Sequence, residues 1–253
     1  MVDARTWTQF RRPRVPRIGV AVRTPLELVV GRAGPRYCPV RESRLLRFSP
    51  GGTPRRENVR CPVCHDRARR RNDWEFMTRH PDLLDGRPKR MLHVAPEPGM
   101  SRRLARVPRL DDLTADRPSP DVMVRMDITD ITDIRSPDDS FDVIDGSPVL
   151  EHVPDDRRAM SEFLRVLGRG WPLLQVPIAG DLTWGDASIT EPAERERHVG
   201  RSDHVRICGP DDIERMAEAG FETRSLSAAD VLSDERRTRI GVTPDEGVVT
   251  GTI

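Results

Sequence analysis

The stretch from Val122 to Ile178 constrains what this chain can fold into more than any other part of it. It alternates short apolar runs with one helical run. Val122 to Met126 and Phe141 to Ile144 are brief, β-branched and bounded by Asp, Ser and Pro, as buried parallel strands are. Asp155 stands where a helix cap belongs. Ala159, Met160, Phe163, Leu164 and Leu167 follow at helical spacing until Gly168 and Gly170 end the pattern. Trp171 to Val176 then reads as a third strand. Strand, strand, helix, strand predicts an α/β protein built on a doubly wound, mostly parallel sheet with helices on both faces.

A chain of 253 residues, 36% of them hydrophobic, has room for one sizeable domain and a small module. No run reaches the roughly 18 to 20 consecutive apolar residues of a membrane span, and no signal segment opens the sequence, so a cytoplasmic protein without membrane contact is expected. The organisation predicted is an Arg- and Pro-rich segment over 1–36 without firm structure, a cysteine-bearing module over 37–73 and the α/β domain over 74–253. Residues 1–73 carry 18 Arg against 6 acidic residues, which leaves a formal charge of −11 on the remainder of a chain whose net charge is +1. A basic front end can attract a nucleic acid or another anion. The plainer reading is chain-wide enrichment in Arg, because Lys89 is the only lysine, and aromatics at 4% offer few stacking platforms.

Cys38-Pro39-Val40-Arg41 and Cys61-Pro62-Val63-Cys64 look like the two knuckles of a zinc ribbon. With cysteine at position 41 the pattern would be two Cys-x-x-Cys pairs separated by 19 residues, a usual spacing for such sites. Arg41 cannot ligate zinc. Cys38, Cys61 and Cys64 are the candidate zinc ligands, and the competing reading is a ribbon-shaped remnant held by Leu45, Leu46, Phe48 and Val59. His65 lies too close to Cys64 to complete a tetrahedron, and His80 reaches it only by folding back.

Several words of the sequence resemble class I S-adenosylmethionine-dependent methyltransferases. They are Asp127-Ile128-Thr129-Asp130, Asp139 to Ile144, Val149-Leu150-Glu151-His152-Val153-Pro154-Asp155-Asp156, Arg165-Val166-Leu167 and Leu174 to Ile178. Arg44 to Phe48, Pro50-Gly51-Gly52, Arg56-Glu57-Asn58 and Cys61 to Cys64 resemble the cysteine-bearing leader of one group within that family, which carries a four-cysteine version. The resemblance implies a Rossmann-like fold preceded by a zinc-ribbon-like module, with S-adenosylmethionine lying across the carboxyl ends of the strands.

Met91 to Ala95 reads as the first strand of the main sheet. Pro96-Glu97-Pro98-Gly99 follows where the family has its glycine-rich turn, but only Gly99 aligns with a glycine; His93 replaces the usual acid, and Ala95 and Glu97 replace glycines. By resemblance Ala95, Glu97 and Gly99 border the cofactor, with Glu97 on its ammonium group or, alternatively, a carboxylate at the start of a helix over 101–107. Asp116, 17 residues beyond Gly99, stands where an acid holds a ribose diol. Asp127 and Ile128 are implied at the adenine, and Gly146 close to the cofactor. Asp145 needs a partner, since a buried carboxylate is costly alone.

The long loop from Ala179 to Arg206 predicts a lid or a substrate-binding loop, and Asp211 a cap for a helix ending at Gly220. His204 and His152 are the candidate general bases, because imidazole titrates near neutrality. The leading expectation is methyl transfer to an unidentified acceptor, a small molecule ahead of a macromolecule. The alternative is a catalytically silent binding or partner protein on the same fold.

Overall fold

The computed structural model describes residues 34–52, 55–116, 126–127 and 131–252. The expectation for residues 1–36 therefore lies, up to residue 33, outside the described residues. Two hairpins come first: β1 (Arg36–Cys38) pairs antiparallel with β2 (Ser43–Leu45), and β3 (Ser49–Gly51) with β4 (Arg56–Arg60). Cys38 closes β1. Cys61 and Cys64 sit in the tight turn after β4, where the His65 N–H donates to the Cys61 carbonyl at 2.9 Å.

Helix α1 (Ala68–Arg79) starts ahead of the helix predicted over 74–84. Arg70, Arg71, Asn72, Asp73 and Glu75 are all buried in it, and such a polar run has no apolar period to read. The predicted boundary between residues 73 and 74 falls inside this helix.

The main domain continues with β5 (Lys89–Val94), α2 (Pro98–Leu104), β6 (Leu110–Asp116), β7 (Met126–Asp127), β8 (Phe141–Asp145), a 3-10 turn at Leu150–His152, α3 (Asp156–Val166) and β9 (Leu167–Leu174). After these come α4 (Pro192–Val199), α5 (Asp212–Ala219), β10 (Glu222–Ser227), α6 (Ala228–Val231), α7 (Asp234–Ile240) and β11 (Gly247–Thr252). Seven strands form one sheet in the order β7-β6-β5-β8-β9-β11-β10. Neighbours from β7 to β9 run parallel, and β11 is antiparallel to both β9 and β10. The chain winds outward from β5 to β7 and returns to β8 on the other side of β5. This reversal opens the crevice in which open α/β sheets bind ligands.

Successive strand residues face opposite sides of the sheet. Leu92, Ile144 and Leu174 pack with Ala159, Met160 and Phe163 of α3 and Met216 of α5. Their neighbours Met91, Val143 and Leu173 pack with Phe76 and Met77 of α1 and Met100 and Leu104 of α2. Helices thus cover both faces, and the fold is the Rossmann-like α/β architecture expected. Cys38, Val40, Leu45, Phe48, Cys61 and Cys64 belong to the second cluster, so the cysteine module shares its core with the sheet. Leu46, named with the module's apolar contacts, is instead 44% exposed.

Asp155 caps α3 as expected, accepting from the Arg158 N–H at 2.9 Å. Gly168 and Gly170 are not helix terminators but residues of β9. A Cβ on Gly170 would lie 2.2 Å from the Asp142 carbonyl oxygen, so close approach to β8 requires the glycine. The predicted lid is partly ordered by its own pairing: Trp184 and Ile207 exchange main-chain hydrogen bonds at 2.9 and 2.8 Å, and α4 lies between them in sequence. Asp211 does not cap α5; its carboxylate accepts from the Thr183 N–H at 2.6 Å. Among the described residues no helix is long and apolar enough to cross a membrane.

Candidate functional site

At the end of β5 the chain makes the turn of a glycine loop without the glycines. Ala95 holds φ at +48°, a left-handed conformation that favours glycine, and its N–H donates to the Ala115 carbonyl at 2.9 Å. Gly99, in the first turn of α2, is required for a different reason. A Cβ there would sit 2.1 Å from Oδ2 of Asp66, so the buried Asp66 carboxylate lies directly on the turn. Burial and nearby Glu97 push the Asp66 carboxyl up to about 7.

Glu97 is the N-cap residue of α2, yet its side chain caps nothing. It accepts from Arg69 Nη2 at 2.6 Å and from Arg70 Nε at 3.3 Å. Burial opposes the charge of Glu97, and the two guanidinium groups more than offset it, holding the carboxyl below its ordinary range. Glu97 thus stands at the start of a helix, as the alternative expected, although that helix begins at Pro98 rather than Ser101 and the carboxylate is held by the two arginines.

Arg70 is the centre of this network, and no local pattern around it marks that role. Fully buried, it donates through Nη1 to both oxygens of Asp145 at 3.1 Å and to Asp73 at 3.3 Å, and through Nη2 to the Ser147 carbonyl. Burial works against its charge, but Asp145, Glu97 and Asp73 raise its pKa. Asp145 thereby gains the partner a buried carboxylate needs. His93, on the neighbouring strand, lies between Asp112 at 3.4 Å and Asp145 at 3.7 Å.

Further along the crevice, Asp116 ends β6 and Asp127 ends β7, paired to one another in register. Ile128 lies outside the described residues. Gly146 follows β8, its N–H donating to the Leu173 carbonyl at 3.0 Å. A Cβ on it would press on Leu174 and Phe163 at 3.0 and 3.3 Å, so core packing alone accounts for the glycine.

The two candidate bases come together from separate loops. His152 and His204 pack edge to face with centroids 4.8 Å apart, and the His152 Nδ1 bonds to the Asp203 main-chain carbonyl at 2.8 Å. The Val205 N–H donates to the Glu151 carbonyl at 2.9 Å, and Arg206 donates to the carbonyls of Val153 and Pro154, both at 2.8 Å. Burial and His152 lower the His204 imidazole to about 4, which leaves it a weak base at neutral pH.

Cys38, Cys61 and Cys64 place their Sγ atoms within 4.8 Å of one another. Proton sharing favours the thiolate at Cys61: hydrogen bonds from Cys38 and Cys64 lower its pKa, and the same contacts raise theirs. Arg41, at the fourth knuckle position, is exposed. Beside the thiols Arg71 is buried, donating to the main-chain carbonyls of Ile240, Val59, Asp66, Asn58 and Gly241.

Residues 86–171 match a family model described as a methyltransferase domain. By sequence, the chain matches no curated protein. Among solved structures, the S-adenosylmethionine-dependent methyltransferase from Mesorhizobium loti is 15% identical, aligns with 72% of this chain and 98% of its own, and superposes with a TM-score of 0.51. The [4+2]-cyclase SpnF, also 15% identical, aligns over 72% of this chain and 81% of its own with a TM-score of 0.50. At these identities the likeness is one of fold. The sheet has the fold of these methyltransferases, and residues 86–171 within it resemble a methyltransferase domain.

Proposed function

We propose that this chain transfers a methyl group from S-adenosylmethionine to an acceptor nucleophile. The observation that carries this reading is a pair of orphaned polar atoms at the turn after β5. Asp66 Oδ2 and Arg69 Nε are buried and have no hydrogen-bond partner among the described residues. One is an acceptor and the other a donor. An α-amino acid zwitterion matches both, its ammonium suiting the carboxylates of Asp66 and Glu97 and its carboxylate suiting Arg69. The residues present therefore fit the cofactor.

Ala95 and Gly99 would bring main chain to the amino acid end, Asp116 would hold the ribose hydroxyls, and Asp127 would border the adenine, a role the resemblance also gives Ile128. By resemblance, Gly146 would lie close to the cofactor. Bound there, S-adenosylmethionine supplies an electrophilic methyl group on its sulfonium. The chain contributes alignment and exclusion of water. Of the two candidate bases, His204, lowered to about 4, is the weaker, and His152 keeps its Nε2 lone pair because its Nδ1–H is the one donated to the Asp203 carbonyl.

The cysteine module is read as a zinc site. Three thiolates would leave one position open on a tetrahedral ion and a local charge of −1, which buried Arg71 balances without a carboxylate hydrogen bond. A small molecule remains the preferred acceptor.

A second reading, a catalytically silent partner protein, is favoured by the same Asp66, whose carboxylate already covers Gly99. Calorimetric titration with S-adenosylmethionine and S-adenosylhomocysteine separates the two. One-to-one binding that weakens in Asp116→Ala supports methyl transfer; a folded chain that binds neither compound leaves the silent reading.

A further inference from the structure

We propose that Glu151, His152 and His204 form a binding site for one divalent transition-metal cation, at the carboxyl-end side of the sheet and apart from the cysteine cluster. One ligand atom from each lies within 4.8 Å of the other two. Two imidazoles and one carboxylate with open positions are a donor set that suits first-row divalent ions.

Each donor is oriented by its surroundings. Glu151 is 1% exposed, and its Oε2 has no hydrogen-bond partner among the described residues. A buried carboxylate oxygen left without a donor costs stability, and a cation removes that cost. The His152 Nδ1–H donates to the Asp203 carbonyl, which leaves the Nε2 lone pair on the side of Glu151, 3.8 Å from Oε1. An imidazole with one nitrogen on a main-chain carbonyl and the other bare is the usual arrangement of a metal-ligating histidine. His204 is brought against His152 by the Val205 to Glu151 main-chain hydrogen bond and by Arg206 on Val153 and Pro154.

Two cations lie near enough to oppose a metal, and both are compensated. Arg201 is paired with Asp203 at 2.9 and 3.1 Å, and Arg69 with Glu97 at 2.6 Å. Drawing the ligand atoms from this spacing onto an ion with bonds of about 2.0–2.2 Å needs only side-chain movement. Ligands from two separate loops would be joined by the ion, and the positions left open would face the crevice.

Cobalt(II) is the probe, because thiolate-bound cobalt has intense charge-transfer absorption that nitrogen- and oxygen-bound cobalt lacks. The full chain is dialysed against Co2+ with no S-adenosylmethionine present, so the outcome is independent of the methyl-transfer reading. The wild type is expected to hold one cobalt lacking the thiolate absorption, whatever the cysteines bind. Glu151→Gln and His204→Ala should each weaken that cobalt by at least the roughly 10–100-fold that loss of even an outer-shell partner costs, with thiolate-bound cobalt unchanged. Glu151→Gln keeps the shape of the side chain and serves if His204→Ala does not fold. A folded wild type that binds cobalt only through thiolates, or folded variants that bind it as the wild type does, would overturn the proposal.

Discussion

Arg70 and Asp145, 75 residues apart in the chain, meet in the interior with Nη1 at 3.1 Å from both carboxylate oxygens and neither side chain more than 1% exposed. The pair fastens α1 to the end of β8, beneath the turn that would hold the amino acid end of the cofactor. Removing one member leaves the other as an uncompensated buried charge. Asp145→Ala is expected to destabilise the fold by about 3–5 kcal/mol in urea unfolding. Adding Arg70→Met to Asp145→Leu should cost less than the sum of the two single changes, since the double variant removes both charges of this pair and leaves Asp73 without its Arg70 partner.

Asp66 gives the fold an unusual pH dependence. Its carboxyl titrates near 7 when folded, because of burial and then Glu97, against about 3.9 in an unfolded chain. Between those values the folded state holds a proton that the unfolded state has lost. The contribution of this group to stability is therefore greatest below pH 4 and is lost as pH rises through 7. Asp66→Asn, neutral throughout, is expected to be more stable than the wild type at pH 8 by up to about 4 kcal/mol, at the 1.36 kcal/mol carried by each pH unit of that window. At pH 4 the two should be equal. Equal denaturation midpoints at both pH values would show that Asp66 is ionised at no cost.

The parts of this architecture that obey a period were legible in the sequence. A brief, bounded β-branched run marked β8, and capping with helical spacing marked α3, down to the Asp155 side chain. What escaped was the polar interior. Arg70, Arg71 and Asp73 look like a solvated charge run until the folded chain shows which carboxylates and carbonyls they meet. No local pattern reports a partner 75 residues away. Asp145 was the one readable hint, a carboxylate in a strand that demanded a counter-charge. Gly168 and Gly170 misled for a related reason, since a glycine ends a helix by its backbone freedom and admits a neighbouring strand by its lack of a side chain.

Gly99 separates protein packing from cofactor binding. A methyl group there runs into Asp66 Oδ2 at 2.1 Å, and overpacking of this kind costs about 1–3 kcal/mol. Gly99→Ala is expected to lower the thermal midpoint, and adding Asp66→Ala should restore much of it by emptying the space. If Asp66 also receives the cofactor's ammonium group, the double variant recovers stability without recovering affinity for S-adenosylhomocysteine. Recovery of both would assign Asp66 to packing alone.

Position 41 tests the cysteine module. The three thiols already cluster around one point, and the Arg41 main chain donates a hydrogen bond to Cys38, as the turn of a metal knuckle does. A structural zinc site normally closes with four ligands, and its binding energy adds to the folding energy. Arg41→Cys should therefore tighten zinc binding and raise the thermal midpoint when zinc is present, while leaving the zinc-free midpoint nearly unchanged because Arg41 is exposed. Competition with a chromophoric chelator gives the affinity. A wild type without stoichiometric zinc by metal analysis, together with an Arg41→Cys variant that gains none, would make the ribbon a scaffold held by Leu45, Phe48 and Val59 rather than by a metal.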